Sequence, residues 1–210
     1  MEQIKKCWRK SRKKSIFFLL SSLLWVGCTT EQSWNFKTNY FSIDVNGKGY
    51  ITSMKNITVS PNREFSPIDK PSPLMSLYDS KKNVYYYPQK ARFNEGTQLF
   101  TIDYPNGSVA QVELQPKDKY LKLSLVSLEP CHDVDAIQWG TYYTNITNLM
   151  GEIIGVARDT SDVVNYSIGM LALDDNTLGG TADIEGDAAP FQYIIHTPDA
   201  ERFPLPDSLH

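Results

Sequence analysis

From Phe36 onward, apolar and polar residues alternate in short runs with a period of two, the spacing of half-buried β-strands. In "SVAQVEL", Val109, Gln111 and Glu113 alternate with Ala110, Val112 and Leu114, which predicts one wet face and one packed face. "KYLKLSLVSL" repeats the pattern at Leu121, Leu123 and Leu125. Turn signals separate these runs. "YFSIDV" and "YITSMK" flank Asn46-Gly47-Lys48-Gly49, and "QLFTIDY" and "SVAQVEL" flank Pro105-Asn106-Gly107. Asn and Gly accept positive φ at low steric cost, so each arrangement predicts a hairpin. A third hairpin is expected between "GEIIGVAR" and "NYSIGMLAL" across Asp159–Val164, its arms apolar on both faces as in the middle of a sandwich.

The segments between are rich in Pro, Ser and Asp. "SPNREFSPIDKPSPLMSLYDSKKN" carries four prolines, which excludes a long regular helix. The nearest approach to a helix is one turn around "PSPLMSLYD". Short strands punctuated by turn signals every ~8–12 residues predict an all-β fold, an antiparallel β-sandwich. It is expected over residues 36–200, before a Pro-rich tail at 201–210.

The first 27 residues break the pattern. "MEQIKKCWRKSRKKS" holds seven basic residues and one acid, and the apolar run Ile16–Val26 and "GCTT" follow. A positive n-region, a short apolar core and a small residue before the cut site mark an export signal. The 11 residues of the run reach only about 17 Å as a helix, short of the ~30 Å hydrocarbon core, so a signal is expected and not a permanent span. "LWVGC" resembles the lipobox of bacterial lipoproteins, in which cleavage exposes a Cys whose thiol takes a diacylglyceryl group. Trp25 departs from that pattern, since Leu is usual there and Leu24 sits one place early. The expectation is a lipoprotein signal peptide over 1–27, lipidation of Cys28, a tether over 28–35, and anchoring to the cell envelope, at the outer membrane.

Removing that segment changes the charge picture. It holds seven of the 21 basic residues and one of the 24 acids, so 14 bases and 23 acids remain, a net charge of −9. Residues 129–210 hold fourteen acids against Arg158 and Arg202 alone. Such a surface repels phosphate backbones and disfavours nucleic acid as a partner. With Cys7 removed and Cys28 lipidated, Cys131 stands alone, so no intramolecular disulfide and no zinc spacing is available. A buried, inert Cys131 is expected.

No HExxH, GxSxG, GxGxxG or P-loop pattern occurs, which disfavours metalloprotease, serine hydrolase, dinucleotide and NTPase chemistry. "EPCHDVD" gathers Cys131, His132, Asp133 and Asp135 and is expected to be a loop with a solvated acidic face. Asp183, Glu185 and Asp187 alternate beside Gly186, an oxygen-ligand pattern that suits Ca²⁺, although the distal bidentate Glu of an EF-hand is missing. An ordinary acidic loop gives the same pattern. Trp139, Tyr142 and Tyr143 in "QWGTYYTN" are candidates for a carbohydrate-binding platform, but a WG block just before core strands fits a packed corner of the sheet better. Four N-x-S/T sequons, at Asn56, Asn106, Asn145 and Asn165, read as ordinary Asn/Thr content beside a bacterial signal. A glycosidase pair needs two carboxyls about 5–9 Å apart, and 23 acids offer too many pairs for one to be singled out. No catalytic residue is named.

"DAIQWGTYYTNI", "GEIIGVARD" and "YSIGMLALDDNTLGG" occur in that order, after the opening hairpin "FSIDVNGKGYITSMKN". Over roughly residues 36–180 this order resembles the N-terminal β-sandwich of large glycan-degrading lipoproteins from Gram-negative polysaccharide-utilising bacteria. Those domains are similar to the galactose-mutarotase-like supersandwich and precede a catalytic module. The resemblance implies a non-catalytic accessory or N-terminal part of a glycan-processing protein, a glycan ligand, and a catalytic partner chain or C-terminal module beyond His210. Two other classes stay open. One is a small carboxylate-dependent glycosidase or mutarotase-like enzyme, for which His132 and His196 are the internal acid candidates. The other is a structural or interaction protein of the envelope.

Overall fold

The computed structural model describes residues 32–146, 149–151, 156–159, 166–174, 177–182 and 189–196. Seventeen strands and no helix occur among them, and every strand pairing is antiparallel. The chain is an all-β antiparallel sandwich.

The first sheet runs β1 (Ser33–Lys37), β2 (Phe41–Asn46), β3 (Tyr50–Asn56) and β4 (Arg63–Glu64), with β5 (Ser72–Pro73) also on β3. The second is a meander of β8 (Lys90–Asn94), β9 (Leu99–Asp103), β10 (Val109–Pro116) and β11 (Leu121–Glu129). A third sheet has the order β16 (Thr177–Ala182), β17 (Ala189–His196), β12 (Ala136–Thr144), β6 (Met75–Asp79), β7 (Val84–Tyr86). Three short strands, β13 (Leu149–Gly151), β14 (Val156–Asp159) and β15 (Tyr166–Gly169), make a fourth.

The first two hairpins form where the turn residues place them, as β2–β3 and β9–β10. Gly49 takes φ +91° and Gly107 φ +84°, which is why glycine closes both turns. On β10, Ala110, Val112 and Leu114 are fully buried while Gln111 and Glu113 are not, as the alternation requires. In the third, β14 pairs with β15 as expected, but β13 also pairs with β14, so "GEIIGVAR" is not one continuous strand. Two further expectations change. "PSPLMSLYD" forms β5 and β6 with no helical turn; Met75 and Leu77 are buried, and so is Ser76 between them, because β6 is covered on both faces. And β1 begins at Ser33, three residues inside the expected tether, because Trp34 and Phe36 have apolar partners to reach.

Those partners join the first two sheets face to face. The Trp34 ring meets Phe100 edge-on at 5.3 Å, and Phe36 meets Phe93 edge-on at 5.0 Å. Edge-to-face contact places the positive ring edge on a negative face, worth ~0.5–1.5 kcal/mol beyond the area buried. The third sheet joins the same core through two phenols: Tyr104 Oη donates to the Met75 carbonyl at 3.0 Å, and Tyr142 Oη to that of Leu74 at 2.8 Å.

Candidate functional site

The aromatic block of β12 is core. Trp139 is 7% exposed and Tyr142 5%, and both pack in the main apolar cluster. Three positions apart on a regular strand, they would face opposite sides of the sheet. The pairing with β17 shows how they come to share one side: Trp139 faces Tyr193 and Tyr142 faces Phe191, so β12 holds one extra residue at Gly140-Thr141. Gly140 takes φ +93°, a conformation side chains resist. Burial pushes the Tyr142 hydroxyl well above its ordinary pKa, as it does for Tyr104. Tyr143 is half-buried with the Lys70 ammonium 4.3 Å above its ring, a cation–π contact. The three residues expected as a candidate sugar platform therefore do not present a planar row: two are inside, and the third is capped by lysine.

An exposed aromatic row lies elsewhere. On the β6–β7 hairpin, Tyr78 and Tyr85 are directly opposed, with ring centroids 4.6 Å apart. Tyr87 continues the line 6.4 Å from Tyr85, its ring within 27° of parallel. Tyr85 is 36% exposed and Tyr87 50%. Cross-strand pairing sets Tyr78 beside Tyr85, and Tyr87, the first residue past β7, continues the face that Tyr85 presents. Tyr86 points the other way, against the core.

The hairpin turn is held by charge and by Asn83. Lys82 donates from its backbone to Asp79 Oδ1 at 3.1 Å, and its ammonium lies 2.9 Å from Oδ2. The Lys82 side chain, bonded to Asp79, holds that carboxyl below its usual value despite burial. Asn83 adopts φ +52° and accepts from the Tyr78 hydroxyl at 3.0 Å. Burial, with Tyr78 and Tyr87 adding to it, raises the Tyr85 hydroxyl pKa. Burial followed by Tyr87 does the same at Tyr50. Beyond Tyr87 in the chain, Pro88 and Gln89 join Asn46, Lys48, Tyr50 and Pro71 in lining a shallow groove that holds amides and an ammonium.

A different site opens between β2 and β3 on one side and β11 and β15 on the other, a cavity of about 430 Å³. Its floor is Ile43, Ile51, Met54 and Phe65, and Tyr142 closes it from the third sheet. No histidine or carboxylate lines it among the described residues.

The other candidates are dispersed. Cys131 is exposed, so the expectation of a buried thiol is corrected; it sits in the short loop between β11 and β12, where Val134 and not Cys131 is the residue that reaches the core. His132 is exposed beside it and does not line the cavity; its Nε2 is 3.4 Å from Asp133, which also lies 3.8 Å from the Lys82 ammonium of the β6–β7 turn. Asp135 is committed to the fold, accepting from Ser80 N and Oγ at 2.7 Å each. His196 ends β17 opposite Ala136. Cys28 and the Ca²⁺ candidates Asp183, Glu185 and Asp187 lie outside the described residues. Among the described residues no three metal-ligating side chains cluster.

Sequence reasoning missed the tyrosine row. Its signal was present in "NVYYYP", three consecutive tyrosines after a Lys-Lys-Asn turn. What was lacking was a reason to make that run an edge strand.

The fold and surface define an all-β antiparallel sandwich with an exposed aromatic edge. Compared with known protein families, curated proteins and solved structures, the chain matches none.

Proposed function

We propose that this chain is an exported, lipid-anchored, non-catalytic sandwich module that captures glycan, as an accessory or N-terminal part of a glycan-processing protein. The observation that carries the reading is the row Tyr78–Tyr85–Tyr87, with ring centroids 4.6 and 6.4 Å apart and Tyr85 and Tyr87 exposed at a sheet edge. Such faces accept the C–H faces of pyranose rings, and an exposed aromatic patch marks an interaction site. The adjoining groove supplies hydrogen-bonding groups from Asn46, Lys48 and Gln89. Binding is favoured over hydrolysis because neither the cavity nor the groove is lined by a histidine or a carboxylate among the described residues.

The test is a glycan array, followed by affinity-gel electrophoresis on the polysaccharides it selects, with the wild-type chain and a Tyr85→Ala/Tyr87→Ala double variant. The wild type should be retarded and the double variant should run as in a blank gel with its melting temperature unchanged. Absence of binding to any glycan, or undiminished binding by the double variant, would sink the reading.

A further inference from the structure

The cavity between β2, β3, β11 and β15 has the wrong chemistry for a sugar and the right one for an amphiphile. We propose that it binds a single-chain fatty acid, hydrocarbon inward and carboxylate at Lys119. The floor is dry in character: Ile43, Ile51, Met54 and Phe65 are each at most 4% exposed. The one phenol there, Tyr142, already donates its proton to the Leu74 carbonyl. At about 430 Å³ the space is about three times the ~150 Å³ apolar cavity that stays dry and takes up benzene.

Polarity rises toward the mouth. Tyr40, Thr58, Lys119, Tyr120 and Ser167 line the cavity and are all exposed. The rim is pre-formed, since the Asn39 amide donates to the Asp118 carbonyl at 2.9 Å and the Lys117 amide to that of Tyr120 at 2.9 Å. The first bond ties the turn that carries Tyr40 to the turn that carries Lys119 and Tyr120, and the second closes that latter turn.

Charge selects the headgroup. "KDKYLK" brings Lys117, Lys119 and Lys122 against Asp118 alone, a local excess of positive charge at the mouth. Lys119 makes no ion pair among the described residues. An ammonium at the lip of an apolar cavity complements a carboxylate whose chain lies inside.

The experiment titrates the purified full chain, in buffer without detergent, with the fluorescent fatty acid cis-parinaric acid. Laurate and lauryl alcohol, which share a chain and differ in headgroup, then displace it. Saturable enhancement, displacement by laurate, and an affinity about tenfold weaker in the cavity-filling Leu123→Trp variant at unchanged melting temperature are expected. If Leu123→Trp melts early, Met170→Trp fills the cavity from the end of β15 instead. Lys119→Glu should weaken laurate about fivefold and leave lauryl alcohol unchanged. No enhancement, or wild-type affinity in both filled variants, overturns the site. Equal effects of Lys119→Glu on laurate and alcohol overturn the headgroup. A dimer in light scattering that Leu123→Trp dissociates would mean a second copy fills the cavity, and overturns the ligand. None of these outcomes touches the tyrosine row, so this inference and the glycan reading fail separately.

Discussion

At the scale of single residues, aromatic side chains serve opposite ends according to what covers them. Trp139 anchors the core and is 7% exposed, while Tyr85 and Tyr87 lie open at the edge. Trp139→Ala should therefore act on stability, costing about 3–5 kcal/mol in chemical denaturation, as large-to-alanine changes in packed cores do. Loss of glycan binding in that variant at wild-type stability would contradict the placement. The buried phenols give a second prediction. Tyr104 and Tyr142 have hydroxyls held above their ordinary value by burial, so the folded state keeps protons the unfolded chain gives up. Their contribution is intact below about pH 10 and is lost as pH rises above it, at about 1.4 kcal/mol per pH unit for each tyrosine. Stability should fall steeply in alkali, and phenolate absorbance should show two tyrosines ionising only as the chain unfolds. Tyr142→Phe should flatten the slope; an unchanged slope would remove Tyr142 from the account.

Turn chemistry decides much at the level of elements. Gly49 and Gly107 both close hairpins at positive φ, but their surroundings differ. A Cβ at Gly49 would lie 3.1 Å from Pro88 Cβ and 3.4 Å from Ala91 Cβ, whereas one at Gly107 meets nothing within 4 Å. Gly107→Ala should cost only the conformational penalty, about 1–2 kcal/mol, and Gly49→Ala distinctly more. Denaturation of the two variants side by side checks this, and equal losses would show that the Pro88 contact gives way freely. These hairpins were legible because Asn-Gly and Pro-Asn-Gly specify a turn locally and the flanking alternation specifies the faces. β6 was hidden because "PSPLMSLYD" carries two prolines and no alternation; its pattern reflects neighbours on both faces. The β12 bulge was hidden for the same reason. Nothing near Gly140 says that the pairing with β17 gains a residue there, and that one residue decides whether the aromatic block faces solvent or core. A candidate site read from side-chain type alone therefore fell on the core, while the exposed row depended on which strand ended the sheet.

For the whole molecule, the charge of the chain determines what can hold it at a membrane. Beyond residue 27 the net charge is −9, which gives no electrostatic attraction to anionic lipid, and no helix among the described residues is long and apolar enough to cross a bilayer. Under the lipoprotein reading, anchoring rests on the acyl chains at Cys28, each buried CH₂ contributing ~0.8 kcal/mol, and one chain alone binds only marginally. Residues Glu31–His210 form one compact unit, so loss of the lipid should release the sandwich without unfolding it. The prediction is that cells fed radiolabelled palmitate label the wild-type chain, which sediments with membranes and partitions into detergent. Cys28→Ser should be unlabelled. If an ordinary signal peptidase still cuts it, the product should appear in the soluble fraction with its sandwich folded; if not, it should stay on the membrane at the mass of the uncut chain. Label at equal intensity in both would show that Cys28 is not the acceptor and would return the first 27 residues to an ordinary export signal. The edge proposed to capture glycan would then act in solution, with no surface to concentrate its ligand on.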